Sequence, residues 1–134
     1  LQAGMEGLKK AISAVKPGNY VGDISEAMDS TIKKYGYSCT KELTGHGVGR
    51  ELHEEPLISN VVVGKREKTP LIEVGSTLAI EIIYVEGSPS LVMEEDNWTI
   101  STKDGKIAAV HEETVVVTND GCTILTTPTL FQIT

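Results

Sequence analysis

The chain predicts an α+β fold in which two helices precede a largely antiparallel sheet. Two observations carry this reading. Up to Gly36 the apolar residues recur at helical spacing. Beyond Gly36 they alternate with period two, in runs rich in Val, Ile and Thr that turn signals punctuate.

Leu1, Met5, Leu8, Ile12 and Val15 fall on one helical stripe, with Gln2, Lys9 and Lys10 off it. No residue before Leu1 caps this helix and the chain lacks an initiating Met, so the natural start of the helix is expected upstream. Lys16-Pro17-Gly18 ends it, because Pro cannot continue a helix and Gly tolerates the turn. Asp23-Ile24-Ser25-Glu26 reads as a capping box with Asp in the place of Ser or Thr. The second helix is then expected over about 24–35, with Ile24, Ala27, Met28, Thr31, Ile32 and Tyr35 on one face and Gly36 as its stop.

Residues 76–85 read as a strand, with Leu78, Ile80 and Ile82 on one side and Thr77, Ala79, Glu81 and Ile83 on the other. A longer β-branched strand follows over 107–118. Asn119-Asp120-Gly121 is a hairpin turn, and 122–126 is the returning strand. Lys65-Arg66-Glu67-Lys68 reads as a charged surface loop. With no internal repeat, linker or low-complexity run, 1–134 is expected to be a single domain.

Composition narrows the function classes. Lys and Arg number 12 against 19 Asp and Glu, a net charge of −7, which lends nothing to a nucleic-acid or anionic-membrane partner. Hydrophobic residues at 40% and charged ones at 23% are those of a globular chain. No apolar run is long enough to span a membrane, and the first residues are amphipathic, unlike a secretory signal. Cys39 and Cys122 form neither a disulfide framework nor a zinc knuckle, which favours a cytoplasmic location.

Three places could carry chemistry. In Thr44-Gly45-His46-Gly47-Val48-Gly49, the glycines allow close approach to an imidazole. Read alone, this is a glycine-rich turn with an exposed His, and its spacing does not match a dinucleotide fingerprint. Leu52-His53-Glu54-Glu55-Pro56 resembles a zincin motif at first sight. Leu57 stands where the second His belongs, however, and Pro56 would break the required helix. Read alone, it is a polar strand end, or else it places His53 beside a site. Finally, Glu81 lies in an otherwise apolar strand, where a carboxylate needs a proton, a cation or an ion-pair partner. Glu112 and Glu113 are adjacent and so face opposite sides of their strand, and alternation leaves open which one points inward. One His and two Glu would suit Zn, Mn, Co or Fe.

The ordered set of motifs has a family likeness. Gly45-His46-Gly47-Val48-Gly49-Arg50, Leu52-His53-Glu54-Glu55-Pro56, Ala79-Ile80-Glu81, Trp98-Thr99 and 112–121 together resemble the C-terminal half of a type I methionine aminopeptidase, from the first helix to about Thr126. That resemblance implies a pita-bread fold, in which two α+β halves enclose a dinuclear metal site. The C-terminal half packs two helices on a curved, mainly antiparallel sheet. It implies removal of the initiator Met from N-terminal methionyl peptides and nascent proteins. Co, Mn, Fe or Zn would serve, two ions per complete site. By motif position, His46, Glu81 and Glu112 match metal ligands, with Glu112 as the bridging carboxylate. Glu81 also matches the group that shuttles a proton. His53 matches the catalytic His that contacts the substrate peptide, and Leu52 and Trp98 match residues lining the Met pocket.

Several positions depart from the family. Ile82 stands where Pro is usual, Glu113 where His is usual, Thr44 in the place of Cys and Leu52 in the place of an aromatic. Two further Asp ligands belong to the N-terminal half of such enzymes. This chain therefore offers three of five ligands, and is expected to hold at most one ion and to have little activity alone. The missing half, or a second copy, is the expected partner, because the face left open should be apolar. The alternatives are a Xaa-Pro aminopeptidase-like hydrolase and a non-catalytic binding module of the same fold.

Overall fold

A computed structural model describes residues 1–126, so 127–134 of the expected single domain lie outside the described residues. Helices α1 (Gln2–Ala14) and α2 (Val21–Lys34) come first. Strands β1 (Ser38–Cys39), β2 (Thr44–Gly47) and β3 (Glu54–Ser59) follow, then a 3-10 turn (Arg66–Lys68). The chain continues with β4 (Thr77–Val85), β5 (Leu91–Met93), β6 (Ile100–Thr102), β7 (Ala108–Val117) and β8 (Cys122–Ile124).

The main sheet runs β3-β2-β4-β7-β8, with β1 also paired to β4, and β5 and β6 form a separate ribbon. Every one of these pairings is antiparallel. β4 is central and runs in unbroken register with β7 from Thr77↔Val116 to Val85↔Ala108. Both helices lie on one face of the sheet. There Ile24, Met28 and Ile32 of α2 meet Leu78, Ile80 and Ile82 of β4 and Val115 and Val117 of β7. Ile80 and Ile82 are fully buried, and each contributes about 2 kcal/mol by leaving water. The expected division of β4 into two faces holds: the Leu78 side is core, and the Glu81 side lies away from the helices.

The face of α1 differs from expectation. Leu1 and Met5 are exposed, and Leu8 and Ile12 are only half-buried. The buried stripe is Ala3, Gly4, Gly7 and Ala11, with Val15 just beyond the helix. Large side chains from the sheet set this choice. A Cβ on Gly4 would strike the rings of His111 and Tyr84, and one on Gly7 would strike Ile82. Small residues therefore let α1 sit down on β4 and β7, and the larger apolar residues are turned toward the rim.

The start of α2 is also corrected. Its N-cap is Tyr20 rather than Asp23, and Asp23 is the third helical residue, its carboxylate accepting the Tyr20 N–H at 2.7 Å. Tertiary pairing starts the helix early. Tyr20 bridges Leu71, and the Val21 N–H donates to Pro70 O at 2.9 Å. The charged loop at Lys65–Lys68 winds into the 3-10 turn, from which Arg66 reaches Asp23 at 2.6 Å.

Candidate metal centre

The glycine-rich segment is a strand, not a turn. β2 is clamped between β3 and β4, with His46 opposite Ala79 and Gly45 opposite Ile58. The glycines are there because backbone presses on both of them. A Cβ on Gly45 would strike the Ala79 carbonyl, and one on Gly47 would strike the Glu55 carbonyl. His46 is thereby delivered to the same sheet face as Ala79 and Glu81, because cross-strand partners in an antiparallel pair share a face.

His46 is 5% exposed. Its Nδ1 lies 2.8 Å from Gly47 O. A carbonyl only accepts, so Nδ1 carries the proton and Nε2 is the free position. That Nε2 lies 3.2 Å from Glu81 Oε1. A neutral Nε2 and an ionised carboxylate would face each other lone pair to lone pair. The contact therefore needs a proton or a cation between them. His46 is the one ion-pair partner of Glu81 among the described residues; no Lys or Arg reaches it.

Glu81 and Glu112 are opposite each other in the β4–β7 register. That places Glu112, rather than Glu113, on the Glu81 face. Burial, and after it the nearby charge of Glu112, raise the Glu81 carboxyl above the ordinary carboxylate value, while His46 and His53 pull it down. His53 completes this side of the site. It lies in the loop between β2 and β3 with its ring centroid 4.2 Å from that of His46.

Not everything converges. Among the described residues, no group of three or more His, Cys, Asp or Glu is gathered closely enough to hold a metal ion. His46 and Glu81 are in contact, but Glu112 stays apart with its residue exposed. Even so, the residues fit a divalent cation. An imidazole nitrogen with its tautomer fixed, a half-buried carboxylate and a second carboxylate in register form a donor set suited to such an ion. When bound, a divalent cation supplies a lowered pKa for its water and polarisation of a carbonyl.

Leu52 and Trp98 are 68% and 87% exposed, and neither lines the main cavities among the described residues. Trp98 sits in the β5–β6 turn. Its backbone is fixed by Asp96, whose Oδ1 accepts the N–H of Trp98 at 3.0 Å and of Thr99 at 2.8 Å. The Thr99 hydroxyl, first, and these amides hold the Asp96 carboxyl below the usual carboxylate range. Sequence reasoning missed an apolar cavity of about 290 Å³ on the site face, lined by Leu43, Ile83, Leu91, Ile100 and Val110 among others. Its signal was available: Ile83 is two residues from Glu81 and Val110 two from Glu112, so strand alternation puts them on the same face.

Comparison with known proteins places this geometry. The methionine aminopeptidase of Aquifex aeolicus is 42% identical over 126 residues, which is 94% of this chain and 49% of that protein. The crystal structure of methionine aminopeptidase from Thermotoga maritima superposes with a TM-score of 0.90 at 40% identity, over 95% of this chain and 50% of that one. The prolidase from Pyrococcus furiosus gives a TM-score of 0.69 at 26% identity, over 95% and 31%. The chain thus spans about half the length of the curated relatives it matches, and its helices and antiparallel sheet are half of the pita-bread fold. The profile of metallopeptidase family M24 matches residues 1–119. With that match over the strands that bear His46, Glu81 and Glu112, the chain belongs to metallopeptidase family M24.

Proposed function

We propose that this chain is the C-terminal half of a methionine aminopeptidase catalytic domain, acting in the cytoplasm on N-terminal methionyl peptides. One observation carries the reading: His46 Nε2 and Glu81 Oε1 are 3.2 Å apart, with Glu112 in register on the same face. His46, Glu81 and Glu112 would bind divalent metal, with Co, Mn, Fe and Zn as the candidate ions. Glu81 would also take and return a proton, which its raised pKa suits. His53 would hydrogen-bond the substrate beside the metal, and Leu52 and Trp98 would meet the Met side chain from exposed positions. The higher identity to methionine aminopeptidases than to the prolidase supports Met over Xaa-Pro as the target.

This half carries three of the five ligands that the resemblance implies, so it would hold at most one ion and turn over little substrate alone. Exposed Met5, Ile107 and Val110 support an association surface. That surface would take the other half of such an enzyme or, failing that, a second copy. Sedimentation of the isolated chain should therefore show self-association, and a monomer at high concentration argues against it.

The deciding assay uses a Met-Ala-Ser peptide and a Xaa-Pro peptide with Co or Mn. The chain is tested alone and mixed with the N-terminal half of a methionine aminopeptidase. Met release only in the mixture is the expected result. Full activity from the chain alone, or a preference for Xaa-Pro, overturns the proposal.

A further inference from the structure

The loop between β2 and β3 carries His53, and among the described residues no hydrogen bond of the His53 side chain holds that ring in place. The His53 ring lies against the His46 ring and near enough to Glu81 to pull that carboxyl down. Placement of His53 therefore depends on how the loop itself is fixed. The loop leaves the sheet at the Gly47↔Glu54 pair, and the Val48 N–H is pinned to Thr77 O at 2.9 Å. Within it, the Gly49 N–H donates to Glu51 O at 3.1 Å, which folds the tip back on itself.

The remaining restraint comes from Glu54. Its Oε1 accepts the Glu51 N–H at 2.9 Å. Its carboxylate lies directly against Gly49, in the space a Cβ there would need. A charged acceptor makes this bond stronger than a neutral one. Glu54 is also the residue that follows His53. With Glu51 tied to the Glu54 side chain and Glu54 tied to Gly47 through the sheet, Leu52 and His53 span two fixed points.

We propose that Glu54 is a positioning residue for His53. By holding the Glu51 N–H and filling the space under Gly49, its carboxylate keeps the His53 ring against His46. The importance of this for catalysis rests on the reading of His53 as a substrate-contacting residue. The contact itself is measurable without turnover.

The test is made by NMR on the full chain, reading nuclear Overhauser effects between the His46 and His53 rings and hydrogen exchange at the Glu51 amide. Glu54→Ala removes the acceptor. Gly49→Ala leaves the acceptor but takes its space, at small cost because the displaced group is the end of a flexible side chain. Glu54→Gln keeps an oxygen that can accept the same N–H. The expected result is loss of the ring-to-ring effect in Glu54→Ala and Gly49→Ala, with Glu51 exchange faster by roughly tenfold or more, and retention of both signals in Glu54→Gln. A chain unfolded by Glu54→Ala leaves Gly49→Ala to decide. Retention of the ring contact in a folded Glu54→Ala or Gly49→Ala chain, or its loss in Glu54→Gln, overturns the assignment. Failure of the peptidase reading instead leaves these spectra as expected while no variant affects Met release in the mixture with the N-terminal half.

Discussion

Glu81 and Glu112 stand directly opposite each other on β4 and β7, two carboxylates sharing one face of the sheet. The arrangement has an electrostatic cost, and that cost depends on pH. Burial first and Glu112 second raise the Glu81 carboxyl, so the folded chain holds that proton more tightly than the unfolded chain does. The stability tied to this group is therefore full below the unfolded carboxylate value of about 4.3. It is lost as pH rises through the higher folded value. Glu112→Gln removes the second cause and leaves the first. The variant is expected to lose less stability than the native chain between pH 4 and pH 7. Urea unfolding of both chains across that range checks this, and parallel profiles would count against it.

Gly45 tests how the sheet delivers His46. A Cβ at that position meets the Ala79 carbonyl, which is backbone of the central strand and cannot rotate away. Gly45→Ala should therefore cost about 1–3 kcal/mol through forced displacement of β2. It should also separate His46 from Glu81. Thermal unfolding measures the first effect, and the chemical shifts of the His46 ring measure the second. An unchanged ring in a folded variant would show that β2 accommodates the methyl without moving.

The long elements were legible because their periodicity runs over many residues. β4 and β7 were placed to within a residue or so at each end, and alternation divided β4 into its two faces, of which burial in the structure makes the Leu78 side the core. β1, β2, β5 and β6 are two to four residues long, too short to show a period. β2 contains Thr, Gly, His and Gly, which no propensity would call a strand, and neighbouring backbone on both sides makes it one. The start of α2 was displaced by contacts with Pro70 and Leu71, distant in sequence. The exposed Leu1 and Met5 of α1 reflect the bulk of Tyr84 and His111 across the interface, which α1 itself does not encode. At the site, a carboxylate inside an apolar strand marked Glu81 out. Choosing Glu112 over Glu113 from residues alone was impossible, because the choice depends on β4–β7 register. The contact between His46 and Glu81 likewise depends on the β2–β4 pairing.

Metal addition offers a direct measure of the candidate centre. An ion that binds the folded chain alone stabilises it by about 1.4 kcal/mol at ten times its Kd. For a chain of this size that corresponds to a Tm rise of about 5 °C. Co should produce such a rise in the native chain, and a chelator should reverse it. His46→Ala removes the nitrogen whose tautomer Gly47 O fixes, and is expected to abolish the rise. An equal rise in both chains would place the ion elsewhere.

Asn60 joins β4 to the segment before β2 and is fully buried. Its Oδ1 accepts the Ile83 N–H at 2.9 Å, and its Nδ2 donates to Leu43 O at 3.0 Å. Ile83 is two residues from Glu81, so this bridge steadies the strand that carries the carboxylate. Asn60→Ala leaves a part-buried donor and a part-buried acceptor unpaired and should cost about 1–3 kcal/mol. Asn60→Asp is the sharper test. An ionised carboxylate there keeps the bond from Ile83 but faces the Leu43 carbonyl with no proton to give. The protonated form can donate to that carbonyl and restore both bonds. Its folded pKa should thus be raised, and the variant should be closest to native stability near pH 4 and weakest at pH 7. Urea unfolding at the two pH values measures this difference, and a pH-independent loss would mean that Leu43 O finds another donor.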